Sequence, residues 1–245
     1  MPEGDSIHRI ARELQPLVGE RVTVETPHPR GRLLGLSRLA GKRVEAIEAV
    51  GKHLLLRFED GLVLRSHLGM SGRWQLLTPG QAPVGTPWLV LRGESCGAAQ
   101  WRGPVLEVSH GELSLSLGPD ILAQPPDLEQ MVANLRSSAQ ERAVGEALLE
   151  QRLLAGVGNI WRCEGLWRAR LSPWCSLAEI GDDDLRRLLN EIAAAMRESL
   201  GARRHRYSVY RKTGKACPRC GVAIRSQAQG ERARVAYWCP TCQAD

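Results

Sequence analysis

Two Cys-x-x-Cys pairs near the end of the chain restrict its fold more than any other feature. Cys217-Pro218-Arg219-Cys220 and Cys239-Pro240-Thr241-Cys242 are separated by eighteen residues. Each pair folds into a knuckle that offers two thiolates, and two knuckles close a tetrahedral four-cysteine site. All four positions are then filled by protein, so a metal held there is structural, and one zinc ion is the expected occupant. Ala223-Ile224-Arg225 and Arg234-Val235-Ala236-Tyr237-Trp238 can pair as a hairpin between the knuckles. So short a segment draws its folding energy from the ion. The chain holds seven cysteines, the others being Cys96, Cys163 and Cys175. An odd, scattered set argues against a disulfide framework, and no thioredoxin-like βαβ pattern precedes either pair.

The surroundings of the knuckles are basic. Net charge is +6, but ten Lys and Arg against two acids, Glu231 and Asp245, fall between Ala202 and Asp245, leaving 23 basic and 25 acidic residues elsewhere. A local excess of this kind suits a polyanion, most simply nucleic acid; a solubilising face is the blander reading. Hydrophobic residues make up 43% of the 245, enough for a sizeable core and for two domains. No apolar run has the length of a membrane span and no signal-peptide pattern opens the chain, so a cytoplasmic, nucleoid-associated protein is expected, with no membrane partner.

The chain opens Pro2-Glu3-Gly4-Asp5 after Met1. With Met1 removed, Pro2 carries a secondary amine that forms an iminium directly with a sugar or carbonyl carbon. Such an amine begins near the α-amino value of about 8 and needs little help to be neutral. Glu3 can serve as the accompanying acid or base. Taken alone these residues read far more readily as a frayed end before a helix cap.

Asp5 or Ser6 can cap a helix through Ile7, Ile10, Ala11, Leu14, Leu17 and Val18, stopped by Gly19. Short strands follow: Val22 and Val24, Val44 to Glu48, a hairpin from Lys52 to Leu64 turning at Asp60-Gly61, Trp88 to Leu91, Val105 to Val108, and the alternating Leu113 to Leu117. Their spacing suggests a β-sandwich. After Leu117-Gly118-Pro119-Asp120 and Gln124-Pro125-Pro126 the text turns helical, with helices expected over 127–137, 144–154 and 182–200. Gly156-Val157-Gly158-Asn159 interrupts them: both glycines permit positive φ, Asn159 caps the next helix, and the helix N-terminus can hold an anion.

In this order, the pieces resemble the formamidopyrimidine-DNA glycosylase and endonuclease VIII family. The resemblance rests on Met1-Pro2-Glu3-Gly4-Asp5, Val50-Gly51-Lys52 in a strand, His67-Leu68-Gly69-Met70-Ser71-Gly72, Leu117-Gly118-Pro119-Asp120, Gly156-Val157-Gly158-Asn159-Ile160, Val209-Tyr210-Arg211-Lys212-Thr213-Gly214 and the cysteine hairpin. It implies an α+β fold: an N-terminal β-sandwich flanked by helices at 1–122, a helix-two-turn-helix domain at 123–206 and a zinc finger at 207–245. It implies a bifunctional DNA glycosylase and AP lyase of base excision repair, acting as a monomer on damaged double-stranded DNA, with single-stranded or abasic DNA as further ligands.

The resemblance makes Pro2 the nucleophile, Glu3 its acid or base, Lys52 the lysine that positions the lesion's sugar and phosphate, and Arg234 the fingertip arginine. Gly158, Asn159, Arg211 and Lys212 would contact DNA; Met70 is the candidate for an apolar wedge, with a core Met beside a turn as the equal alternative. Base loss is followed by β,δ-elimination. Ser6 stands where the family often has Glu, Gln100-Trp101-Arg102-Gly103 replaces an Arg-Arg-Phe-Gly loop, and residues 201–207 leave little room for a long capping loop. These departures favour the endonuclease VIII branch and oxidised pyrimidines, with Trp101 and Arg102 as candidates for the rest of the void. A non-catalytic damage-binding protein on the same scaffold, an 8-oxoguanine-preferring enzyme and an RNA-binding zinc-ribbon protein are the alternatives.

Overall fold

The computed structural model describes residues 2–111, 113–202 and 205–244. Met1 and Asp245 lie outside them, as do Glu112 and two residues of the short 201–207 stretch, Arg203 and Arg204. The chain divides into two compact units, one holding Pro2 and residues 6–115 and the other holding Glu3–Asp5 and the remainder from Ser116.

The first unit is a sandwich of two antiparallel four-stranded sheets. One sheet has the order β2-β3-β4-β8, formed by Val44–Val50, His53–Phe58, Leu62–His67 and Val105–His110. The other has the order β1-β6-β7-β5, formed by Thr23–Glu25, Leu89–Arg92, Gly97–Trp101 and Arg73–Leu77. Leu54, Leu56, Phe58 and Leu64 from one sheet meet Trp74, Leu89, Leu91 and Ala98 from the other. The helix α1, Gly4–Glu13, adds Ile7 and Ala11 to that core.

Asp60 and Gly61 make the expected turn between β3 and β4, both in the left-handed region at φ 62 and 69. Gly51 and Lys52 form a two-residue turn rather than strand, since Val50 pairs with His53 across them. Gly51, at φ 58, takes the first turn position, where only glycine is unstrained. The alternating Leu113–Leu117 is not a strand. His110 already pairs with Leu62, the first residue of β4, so the ladder has no rung left to offer. Two strands, β5 and β7, were not anticipated. All five residues of β7, Gly-Ala-Ala-Gln-Trp, are buried, so no polar alternation marks them.

The second unit is helical, with a hairpin near its end. α3 is Leu128–Arg136, capped by the Asp127 carboxylate, which accepts from Gln130 N at 3.0 Å. The expected helix over 144–154 is only α4, Val144–Ala147. Beyond it the backbone bends so that Ala155 N reaches Pro119 O at 2.8 Å and donates there instead of continuing a helix. α5 is Asn159–Ala169 and α6 is Asp182–Gly201. α6 buries Leu185, Leu188, Leu189, Ile192 and Met196 against Trp161 and Leu166 of α5. The hairpin pairs β9, Arg225–Gln229, with β10, Arg234–Trp238. Among the described residues no helix is long and apolar enough to cross a membrane.

Candidate functional site

The residues that begin the chain are seated against residues some 150 positions later. Glu3 is fully buried, and its carboxylate accepts from Ile160 N at 2.9 Å and Trp161 N at 3.3 Å. It therefore caps α5. The first N–H groups of a helix lack internal partners and carry partial positive charge, so a carboxylate placed there is stabilised. The expectation of an anion at this N-terminus holds, but the anion is the protein's own Glu3.

Asn159 is not the cap. Gly158 occupies the N-cap position, and Asn159 opens the helix with its side chain turned to the hairpin, donating Nδ2 to Val235 O at 2.9 Å. Its Oδ1 is buried without a hydrogen-bond partner.

The glycines of this turn serve close approach more than backbone freedom. Gly156 does adopt φ 99, but Gly158 has an ordinary φ of −121. A Cβ on Gly158 would lie 2.3 Å from Glu3 Cδ. Opposite, Gly4 N donates to Gly156 O at 3.0 Å, and a Cβ on Gly4 would meet Gly156 Cα at 2.9 Å. Asp5 is likewise not a cap but an inward anchor inside α1. Its carboxylate accepts from Trp161 Nε1 and from Ser199 Oγ, both at 2.9 Å.

α5 also holds the tail. Cys163 Sγ accepts from Tyr237 N at 3.4 Å. The buried Glu164 carboxylate accepts from Ser208 N, Val209 N and Tyr210 N at 2.7, 2.9 and 2.8 Å. That pins the segment entering Arg211 and Lys212. Trp167 Nε1 donates to Cys217 Sγ at 3.5 Å, while the Arg219 guanidinium lies over its ring at 4.2 Å. None of these partners was read from sequence, because each contact joins residues more than 40 positions apart.

Between the hairpin and the 208–214 segment lies a cleft of about 510 Å³, lined by Asn159, Tyr210, Arg211, Arg232, Arg234 and Tyr237 among others. Tyr210 and Tyr237 meet edge to face at 5.3 Å, and burial raises the Tyr210 phenol. Arg211 sits in the left-handed region at φ 56 with its guanidinium 5.7 Å from the Tyr210 ring. Arginines beside aromatic faces suit phosphates and stacked bases. Thus Asn159, Arg211 and Arg234 share one cleft, with Gly158 adjoining; Lys212, half-buried, follows Arg211.

The first unit carries the other candidates. Pro2 is half-buried. Lys52, in the β2–β3 turn, lowers the His67 pKa after burial, the larger cause. The His53 and His67 rings lie tilted with centroids 4.9 Å apart, and burial pushes the His53 imidazole down to about 4. Met70 is 78% exposed in the β4–β5 loop, so it is no core residue. Trp101 is buried, under the Arg73 guanidinium at 4.2 Å; Arg102 is exposed in the left-handed region at φ 56.

Cys217, Cys220, Cys239 and Cys242 form the one group of three or more metal-ligating side chains among the described residues, with all sulfurs within 4.8 Å of one another. Cys217 and Cys242 sulfurs are 4.0 Å apart and Cys220 and Cys239 sulfurs 3.4 Å. These separations fit a structural metal.

Residues 1–104 match the model of the formamidopyrimidine-DNA glycosylase N-terminal domain, and residues 117–210 that of the formamidopyrimidine-DNA glycosylase H2TH domain. A probable endonuclease 8 2 of Streptomyces coelicolor is 36% identical over 262 residues, covering 100% of this chain and 94% of that protein. The formamidopyrimidine-DNA glycosylase of Thermus thermophilus is 30% identical over 272 residues, covering 100% and 99%. The crystal structure of Lactococcus lactis formamidopyrimidine-DNA glycosylase on abasic-site DNA is similar at TM-score 0.86 and 26% identity, over 100% of both chains. Its complex with DNA containing an oxidized pyrimidine gives 0.84 and 25%, again over 100% of both.

Proposed function

The chain belongs to the formamidopyrimidine-DNA glycosylase family, and from that premise we propose that it is a base-excision-repair DNA glycosylase with AP lyase activity whose nucleophile is Pro2. The observation that carries the reading is the seat of Glu3. A fully buried carboxylate beside Pro2 is fixed on the N-terminus of the helix whose other residues hold the arginine-lined hairpin.

The reading runs as follows. Duplex DNA buries C1′, so the damaged nucleotide is flipped out. Arg234, Arg211, Lys212 and Lys52 hold the flanking phosphates, with Asn159 beside them, and Met70 enters the vacated stack. The neutral Pro2 amine attacks C1′, the base leaves with the glycosidic electron pair, and ring opening gives an iminium. Glu3 serves as the proton acceptor or donor of that ring opening. Successive β- and δ-elimination leave a one-nucleotide gap with phosphate at both ends. A free Pro2 amine requires removal of Met1.

Oxidised pyrimidines are the favoured substrates, supported by the missing Arg-Arg-Phe-Gly loop and by endonuclease 8 relatives. The three-part division at 1–122, 123–206 and 207–245, a monomeric state and a cytoplasmic, nucleoid-associated location belong to the same reading. Zinc is the proposed ion: tetrahedral Zn–S bonds of about 2.3 Å set sulfurs about 3.8 Å apart, in the range of the cysteine cluster. Its chemistry is to hold the two knuckles together.

Borohydride trapping tests the proposal. Met1-processed protein is incubated with duplexes carrying thymine glycol, 8-oxoguanine or an abasic site. A covalent adduct mapping to Pro2, strongest with thymine glycol, is expected, and Pro2→Gly should slow base excision while retaining affinity for an abasic analogue. No adduct on any duplex would favour the damage-binding protein.

A further inference from the structure

One buried cation of α5 has no part in the reading so far. Arg162 lies one turn beyond Asn159 and is fully buried. Its Nη1 donates to Gln229 Oε1 at 3.0 Å and to Gly145 O at 3.3 Å, and its Nη2 donates to Arg234 O at 3.2 Å. Gln229 is itself buried and donates Nε2 to Pro173 O at 2.7 Å. Position 145 must be glycine for this to form, since a Cβ there would lie 2.5 Å from Gln229 Oε1.

Gln229 and Arg234 are register partners, the last rung of the hairpin before its tip at 230–233. Arg162 therefore grips both strands of that rung from the helix side. The Arg234 side chain, on the same residue, lines the arginine cleft. Placing a guanidinium out of water is costly, and an apolar residue of similar volume would often serve stability as well. What the guanidinium adds is direction: two fixed N–H groups aimed at the two strands of one rung.

We propose that Arg162 is a positioning residue for the hairpin tip, fixing the Gln229–Arg234 rung so that the Arg234 side chain is held ready for a DNA phosphate. This rests on the reading of Arg234 as a phosphate contact. A flexible arginine must lose rotational freedom on binding; one whose backbone is already fixed loses less, which appears as affinity.

The test is a double-mutant cycle on the full-length protein, using a duplex with a tetrahydrofuran abasic analogue over a salt series. Arg162→Gln and Arg234→Ala should each weaken binding about tenfold and each reduce the salt slope by about one, the value of one phosphate contact. Arg234→Ala made on top of Arg162→Gln should cost less than about twofold more, because the two act as a unit. Metal content should stay at one ion per chain. If Arg162→Gln does not fold, Arg162→Lys, which keeps charge and stem but cannot grip both strands, replaces it in the cycle. A purely structural Arg162 would lower the melting temperature yet leave the salt slope and the full Arg234→Ala cost intact, and that outcome overturns the proposal. If Arg234→Ala alone changes nothing, it is the phosphate role of Arg234 that falls.

Discussion

At the scale of single residues, Gly158 is sensitive for the atom it lacks. Gly158→Ala would put a methyl carbon 2.3 Å from Glu3 Cδ, so Glu3 must leave its seat and α5 must lose its cap. A loss of about 1–3 kcal/mol is expected, the cost of stripping a charged acceptor from buried amides. Urea unfolding measures it, and trapping yield on abasic DNA should fall in parallel. Unchanged stability would mean that Glu3 does not hold the helix. The His53 ring gives a second prediction. Its folded pKa is near 4 against an ordinary 6.5, with burial the main cause and His67 and Arg65 adding to it. The unfolded chain then binds more protons between those values, so stability is full above about pH 6.5 and falls as the pH drops toward 4. His53→Gln should flatten that part of the urea-midpoint profile between pH 7.5 and 5. A profile unchanged by the substitution would show that the acid sensitivity lies in other groups.

Among elements, α5 does the most. Along eleven residues it receives Glu3 at its start, holds Val235, Arg234 and Tyr237 of the hairpin along its length, binds the 208–210 amides through Glu164 and reaches Cys217 through Trp167. Stripping the metal with a chelator should loosen both knuckles and lower affinity for abasic DNA by more than about tenfold, with metal content checked by elemental analysis. Full binding after verified metal loss would mean that the α5 contacts alone set the hairpin. The elements legible in the sequence were those with local signals: the cysteine spacing, the Asp60-Gly61 hairpin and the long apolar stripe of α6. The illegible ones depend on partners far along the chain. Leu113 to Leu117 alternates like a strand but has no ladder to join. Gly-Ala-Ala-Gln-Trp has no alternation yet is an inner strand. Asn159 and Asp5 carry the right side chains for caps, but Glu3 takes one cap and the other helix starts a residue earlier. The candidate site residues were nameable from motifs; Arg162 and Glu164 were not, since a charged residue on a helix reads as exposed until its buried partners are known.

For the whole molecule, two cores are built from different periodicities: a sandwich closed by residues on alternate strand positions, and a helical unit closed by residues three and four apart. The chain crosses between them early, since Glu3 to Asp5 belong with the second unit and Ser6 onward with the first. That early crossing has a consequence in time. The hydrogen bonds of Glu3 span 157 and 158 residues of sequence. At a ribosomal pace of about 5–20 residues per second, the seat of Glu3 is not made until roughly 8–30 seconds after Glu3 itself. Throughout that interval Glu3 to Asp5 lack their partners from the second unit, and the start of the chain is open to the enzymes that trim nascent chains. Removal of Met1, which a free Pro2 amine requires, thus has time to occur before Glu3 is seated, and a variant that closed this seat sooner would leave Met1 less time to be removed.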